Sequence, residues 1–435
     1  MMNSGQKKPL LFFFLLAVLL IVHPVMGYEY LSKPEWEVPI PYLDNAANQA
    51  PVIHVAEGGR LISLNFPYEP GLFVYDKSGT LLFNTTLSAE KTPWISSVSL
   101  VPDGTGLVVT QLVPGCCHGS VSNTSSNKVI FFDRSGRIVW EYVTYSPPLA
   151  SVVLPDTRDI VVGTEDGTIL CLDENGQVRW TTRVEAPLVS LTVSGDGSTI
   201  VAAGDSNYDS WKQYGEPLVP YDLFFLGANG TVLGKYQTRG QNTVAAGRDA
   251  SVIAVIGGPF KNLMLFNRTG TKTGERSFPG TVSALSMTGD GTRIVVQTSD
   301  GRIWCMDNDL RETCDMPAAP GPQGIAVSDT GETLAFGKNQ FVTIYSLSGE
   351  QLGIYPGESR VRSISPVPGS GSFIIGTEQK MIFFNVTAVG SERGLHPDQI
   401  VPAGQSPTAA PLPLPIVIVA LGLWSILAVR MKKDR

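Results

Sequence analysis

The sequence predicts an all-β protein: an eight-bladed β-propeller closed by an N-terminal strand, with an N-terminal signal segment and a C-terminal transmembrane helix. Three observations carry this. A strand–turn–strand–turn–strand unit at Ile160 to Trp180 recurs with a period near 40 residues. A strand-like segment around Trp36 supplies what the last repeat lacks. Apolar runs lie near both ends of the chain.

The reference unit reads IVVGTEDGTILCLDENGQVRW. Ile160 to Gly163 is a short apolar run, broken at Glu165-Asp166-Gly167 because Asp and Gly accept the dihedrals of a tight turn. Thr168 to Leu172 is a second run and Glu174-Asn175-Gly176 a second turn. Gln177 to Trp180 then alternates polar and apolar, as a half-buried strand does. With the last glycine of this unit as a ruler, the same place recurs at Gly79, Gly136, Gly176, Gly230, Gly270, Leu310 and Gly349, in steps of 57, 40, 54, 40, 40 and 39. A period near 40 with two lengthened steps is the pattern of four-stranded blades around an axis, two of them carrying loop insertions. The repeat therefore makes one domain of a chain that length alone would divide. The 45 glycines and 31 prolines supply its turns. A net charge of −7 without a basic cluster in the repeats excludes nucleic acid as a partner class.

In chain order, Lys7 and Lys8 precede an unbroken apolar run from Leu10 to Val22, which fits the core of a signal peptide and is short for a span. Val25 and Gly27 suit cleavage before Tyr28. An uncleaved anchor is the alternative, and either places the repeats outside; the absence of a nearby cysteine argues against a bacterial-type lipid anchor. Residues 34–40 contain Trp36 and resemble the closing strands Ile138 to Tyr142 and Val178 to Trp180. The last repeat has three strands, at 361–365, 372–376 and 381–386, followed by polar Ser391 to Gly394. The Trp36 strand is therefore assigned to the last blade, which brings the count to eight and removes an open sheet edge. Inner strands are expected near Val52, Val98, Val152, Leu191, Val244, Leu285, Ile325 and Ile364. The Asp-Gly turns that follow several of them, such as Pro102-Asp103-Gly104 and Gly289-Asp290-Gly291, lack the spaced acidic ligands and terminal Glu of a calcium loop.

Asp166-Gly167-Thr168-Ile169-Leu170-Cys171-Leu172-Asp173, followed by Asn175-Gly176 and Trp180, resembles the repeat of quinoprotein alcohol dehydrogenase-like (PQQ-like) propellers, and Asp300 to Asp307 is a second match. The resemblance covers roughly residues 50–386. It implies an eight-bladed fold. It does not imply the cofactor, since many members are non-enzymatic surface or assembly proteins.

Five cysteines bear on the enzymatic branch. Cys171 and Cys305 occupy one repeat position in different blades and read as small buried hydrophobes, and Cys314 falls where Trp180 falls, which suggests packing too. Cys116-Cys117 differs, because adjacent Cα atoms about 3.8 Å apart can be bridged only with backbone distortion. The resemblance implies a quinone beneath such a vicinal disulfide, while a disulfide-stiffened loop tip and a soft-metal site with His118 remain open readings. The calcium ligands, base aspartate and aromatic floor of the quinoprotein enzymes map onto no residues here. No other catalytic motif is present, and no catalytic or metal-ligating residue is assigned. Sequons at Asn84, Asn123, Asn229, Asn267 and Asn385 permit glycosylation of an exported chain.

Residues 387–411 shift to Pro, Ala, Gly, Ser and Thr, a spacer. Residues 412–429 are apolar apart from Pro413, Pro415 and Ser425, and 18 helical residues rise about 27 Å, just enough for a bilayer core of about 30 Å. The basic tail 430–435 orients that segment with the tail inside and the propeller outside. Spacer, apolar segment and tail resemble the sorting signals of prokaryotic, and specifically archaeal, surface proteins.

The resulting organisation is a signal peptide (1–27), a propeller (28–386) with closing strand 34–40, a spacer, a single membrane span and a cytoplasmic tail. The expected function is a cell-surface, membrane-tethered binding or protein-interaction scaffold without cofactor, its partner an extracellular protein or glycan. The alternative is an extracellular dehydrogenase dependent on PQQ with calcium. In up-and-down blades the loop between strands two and three opens on the same face as the connection to the next blade. Loops 111–127 (Cys116, Cys117, His118), 205–220 (Tyr208, Trp211, Tyr214), 65–70 (Phe66, Tyr68) and 257–261 (Phe260) should therefore form one binding face, with exposed aromatics as anchors.

Overall fold

A computed structural model describes residues 33–41, 49–67, 69–87, 93–113, 127–204, 221–238, 242–257, 261–316 and 324–386. They form eight four-stranded sheets, each a meander of sequential antiparallel strands. Blades 1 to 7 span residues 52–86, 94–143, 148–183, 188–236, 243–277, 282–316 and 324–356, and blade 8 joins residues 361–384 to Trp36–Pro39. First strands pack against one another around the axis and fourth strands lie outermost. All eight expected inner-strand positions fall on first strands. The reference unit is resolved into Ile160–Thr164, Thr168–Leu172 and Val178–Arg183. Second and third strands are the most deeply buried, because both of their faces meet neighbouring blades and their sequences are continuously apolar.

The ruler positions join one blade to the next. All seven have positive φ, from 63° at Leu310 to 90° at Gly349, as the turn between strands three and four demands. In blades 8, 2 and 3 a fourth-strand tryptophan covers the glycine of the following blade. The indole N–H of Trp36 donates to Lys77 O at 2.8 Å, that of Trp140 to Glu174 O at 2.9 Å, and that of Trp180 to Ala228 O at 3.0 Å. A Cβ on Gly176 would lie 2.8 Å from the Trp140 ring, so the glycine answers both to its dihedral and to the close approach. Leu310 shows why the rule has an exception. The docking position of the preceding blade is there Gly274 instead of an aromatic, and the Leu310 side chain fills the space, 3.1 Å from where a Cβ on Gly274 would be.

Closure follows the expected route. Trp36–Pro39 pairs antiparallel with Lys380–Phe384, placing Trp36 opposite Phe383 and Val38 opposite Met381. The Trp36 and Phe383 rings stack at 5.5 Å and 12°. Glu37 ties the strand to both sides of the seam: its carboxylate accepts the Tyr355 hydroxyl of blade 7 and the Lys380 ammonium at 3.0 Å.

Two of the cysteine assignments are corrected. Cys305 and Cys314 form a disulfide, with Cα atoms 5.3 Å apart. They stand directly opposite each other on strands three and four of blade 6, as Cys171 and Trp180 do in blade 3. Comparing the same position between repeats hid the pairing, which runs across the hairpin within one repeat. Cys171, facing a tryptophan, remains a buried free thiol. Burial pushes its pKa up to about 12, so it is inert as a nucleophile.

Among the described residues no helix is long and apolar enough to cross a membrane. The segments expected as signal peptide and membrane span lie outside the described residues.

Candidate functional site: the insertion-bearing face

The meander places the loops between strands two and three on the face where each blade hands over to the next, and hydrogen bonds between the two confirm it. Leu87 N donates to Pro70 O at 3.0 Å, Thr144 N to Asn127 O at 3.0 Å, Val184 N to Gly167 O at 2.9 Å, and Phe278 N to Lys261 O at 2.9 Å. In blade 3 the turn is tight, closed by Thr164 Oγ1 donating to Asp166 Oδ1 at 2.6 Å. The corresponding segments are longest in blades 2 (113–127) and 4 (205–222), with 66–70 next in blade 1, and 258–261 of blade 5 equals 299–302 of blade 6 in length.

The opposite face is built to a different rule. Its turns between strands one and two bond to one another: Gly58 N to Pro368 O at 2.8 Å, Glu57 N to Pro102 O at 3.0 Å, Asp196 N to Arg248 O at 2.6 Å, and Arg248 N to Gly289 O at 2.6 Å. Gly289 N to Asp329 O at 3.3 Å, Gly369 N to Asp329 Oδ2 at 2.7 Å, and the Arg158–Asp103 ion pair at 2.5 Å extend the series. Seven of the eight neighbouring turn pairs are thus linked, so short turns cinch that end of the channel. The Asp carboxylates of these turns accept their own turn's donors, as Asp290 does from Thr292 N at 2.9 Å. Among the described residues no group of three or more His, Cys, Asp or Glu side chains could hold a metal ion.

Both long insertions rest on buried polar anchors. Asn127 closes the loop of blade 2: its Oδ1 accepts Val113 N at 3.3 Å, while its backbone carbonyl accepts Thr144 N. Asp222 closes the loop of blade 4 and is fully buried. Its Oδ1 accepts Thr238 N at 2.6 Å and Thr238 Oγ1 at 2.9 Å, and its carbonyl accepts Gly204 N at 2.8 Å. Asn242 Nδ2 reaches the same carbonyl at 3.4 Å. Where Leu87, Val184 and Phe278 bury apolar side chains just after the fourth strand, blades 2 and 4 bury Thr144 and Thr238. The root of the blade 4 insertion is therefore held by side-chain hydrogen bonds to the handover segment, and that of blade 2 by the Asn127 side chain on Val113 together with its carbonyl on Thr144.

Of the residues expected to form the binding face, Phe66 is corrected. It is 4% exposed and packs with Ile53, Leu64, Tyr75 and Ile374 in the core between blades 8 and 1, because the chain turns inward before Pro67. Tyr68, Cys116, Cys117, His118, Tyr208, Trp211, Tyr214 and Phe260 lie outside the described residues. Two aromatics that sequence reasoning missed stand at the roots of the long loops. Tyr145, next to Thr144, is 92% exposed, and Tyr221, next to Asp222, is 39% exposed with the Lys235 ammonium 5.5 Å from its ring centre. The signal for Tyr145 was its position, where the following repeats carry Glu185 and Pro279. Among the sequons, Asn84 and Asn229 are exposed and Asn267 is half-buried; Asn229 Oδ1 accepts Thr231 N at 3.1 Å, and Asn267 Oδ1 accepts Thr269 N and Thr271 N at 3.0 Å. Asn385 follows the last strand, and Asn123 lies outside the described residues.

A family model described as outer membrane protein assembly factor BamB (PQQ_2) matches residues 125–210, a part that contains the reference unit. No curated protein matches the chain. Among solved structures, BamB from Moraxella catarrhalis superposes with a TM-score of 0.55 at 14% identity, covering 81% of this chain and 100% of that one. The computationally designed Ika8 protein gives 0.58 at 12%, covering 78% and 96%, and the C-terminal WD40 domain of Sif2 gives 0.59 at 11%, covering 82% and 99%. At these identities the likeness is one of fold.

Proposed function

We propose that this chain is a cell-surface propeller, exported through residues 1–27 and tethered by residues 412–429, whose insertion-bearing face binds an extracellular protein or glycan. The observation that carries the reading is the difference between the two faces. One end of the ring is held by linked short turns; at the other stand the roots of the two long insertions, Asn127 and Asp222, with Tyr145 and Tyr221 beside them. Variable loops with aromatic side chains on a rigid ring are suited to recognition. The match of residues 125–210 to a model named for an assembly factor supports contacts with proteins over catalysis.

The test replaces 114–126 and 205–220 with short glycine-containing turns, leaving Asn127 and Asp222 in place, and measures capture of membrane-extract partners together with the melting temperature. Loss of capture with folding retained is expected; retained capture would overturn the assignment of this face. Adding pyrroloquinoline quinone with calcium to the intact chain provides a separate arm. A tight complex with alcohol-dependent dye reduction would replace the scaffold reading with an enzymatic one.

A further inference from the structure

Neighbouring blades meet along the axis through their first strands, and at three of these seams a serine ties one strand to the next. Ser99 Oγ donates to Ser151 O at 2.8 Å, Ser286 Oγ accepts Val327 N at 3.0 Å, and Ser365 Oγ donates to Ile53 O at 3.0 Å. The three serines hold one repeat position, two residues before the amide that bonds across the turn to the second strand. In blade 1 that position is His54. Its ring has no hydrogen-bond partner among the described residues, and the first strands of blades 1 and 2 are the most loosely apposed pair around the axis.

The wall beside His54 also differs from its counterparts. His54 stands opposite Ser63 in the strand pair. Leu61 packs with Ile95, Val98 and Val109 of blade 2, whereas Ile62 and Leu64 pack toward blade 8, so alternation puts His54, Ser63 and Asn65 on the blade 2 side. Ser63 is 0% and Asn65 5% exposed, yet Ser63 Oγ and Asn65 Oδ1 have no partner among the described residues. Every other blade carries valine, alanine or isoleucine at the Ser63 position, from Val108 to Ile374. A buried oxygen without a partner is costly, and water entering the seam would satisfy both. No charged side chain faces His54 from the strands around it: 61–65, 94–100 and 106–112 carry none, and Glu57, Arg60, Asp76 and Lys77 of blade 1 lie at its turns.

We propose that the seam between blades 1 and 2 is an acid-operated joint: a proton on His54 parts the two first strands and lets water in to His54, Ser63 and Asn65. The closed seam offers an imidazolium neither a carboxylate nor an existing hydrogen bond. Burial accordingly pushes the His54 pKa down to about 4, with no charged neighbour contributing. The closed form is therefore at full strength above the unfolded value of 6.5 and weakens as pH falls toward about 4. At the same position the other blades hold only serine, valine, threonine or alanine, which confines the response to one seam. The second strands on either side of it run into 66–70 and 113–127, so the joint lies below two loop roots of the insertion-bearing face. An effect on partner binding rests on the reading of that face given above; the joint itself does not.

The experiment is thiol trapping on the purified full-length chain in mild detergent. Val109→Cys reports this seam and Val162→Cys the serine-tied seam between blades 2 and 3; both valines are 0% exposed and hold one repeat position. A dipyridyl disulfide, which labels thiols in acid as well as at neutral pH, is added at about pH 7 and about pH 4, and labelling is read by peptide mapping. The rate at position 109 relative to that at 162 should rise about a hundredfold in acid, the change that a shift from 6.5 to about 4 allows. His54→Ser, which supplies the serine of the tied seams, should abolish the rise, and so should His54→Gln, which stays neutral at both pH values. A ratio that does not change with pH overturns the proposal, as does a rise that survives these substitutions. No partner is present in the assay, so the joint and the binding face fail separately.

Discussion

Closure of the ring without a covalent link makes the Trp36 strand the point at which the fold can be opened by a single change. Trp36→Ala removes an indole stacked on Phe383 at 5.5 Å, its 2.8 Å hydrogen bond to Lys77 O, and the cover over Gly79, where a Cβ would lie 2.9 Å from the ring. A fully buried tryptophan truncated to alanine costs about 3–5 kcal/mol, and the partial exposure of Trp36 reduces this to about 2–4 kcal/mol. For a domain of this size the midpoint should fall by about 3–5 °C. Trp140→Ala is the matched comparison, because Trp140 stacks on Phe131 at the same 5.5 Å and 12° and bonds to Glu174 O at 2.9 Å, yet its strand is continuous with its own blade. The two should lower the midpoint alike in calorimetry, but only loss of the closing strand should open the ring. Removal of residues 28–41 therefore should convert monomer to aggregate in size-exclusion chromatography, by baring the edge of Lys380–Phe384. A truncated chain that stays monomeric with an unchanged midpoint would refute closure by this strand.

Three further outcomes follow from the same contacts. Non-reducing peptide mapping should recover Cys305 joined to Cys314, and replacing both with alanine should cost about 2–3 kcal/mol on a chain-entropy estimate for so short a loop; two free thiols would contradict the pairing. Gly176→Ala forces a side chain into φ of 79° against the Trp140 ring, so denaturant melts should show a loss of about 2–4 kcal/mol, and a neutral result would mean that the turn is not packed as described. The Tyr355 hydroxyl, aided by Lys380, holds the Glu37 carboxyl below its usual range, so its contribution to closure is present above the unfolded value of 4.5 and is lost as pH falls through the lower folded value. The acid-induced drop in midpoint should be smaller in Glu37→Gln than in the wild type; an equal drop would remove Glu37 from the seam.

The architecture was legible because a propeller writes its period into turn chemistry. Seven ruler positions located the blades, and the sequence WEVP supplied a fourth strand to a repeat that lacked one. What escaped was set by pairing within a blade or by packing between blades. The Cys305–Cys314 bond requires the hairpin register, and the burial of Phe66 requires knowing that blade 8 lies over blade 1. Asn127 and Asp222 look like ordinary loop polar residues until the buried donors of Val113, Thr144 and Thr238 are placed around them. Loop polarity alone cannot separate an anchor from a solvated side chain.

Those anchors also account for where the ring can vary. A blade tolerates a lengthened loop only if the strands on either side keep their register, since a slip of one residue would turn every core side chain outward. In blade 4 the Asp222 side chain at the return point bonds the handover segment, and in blade 2 the Asn127 side chain bonds back to Val113 while its carbonyl bonds Thr144, so both roots are fixed at the strand ends. On the opposite face seven of the eight neighbouring turn pairs are linked, and lengthening a turn would break its links. The physics of the ring thus confines insertion to the face where the roots at Asn127 and Asp222 stand.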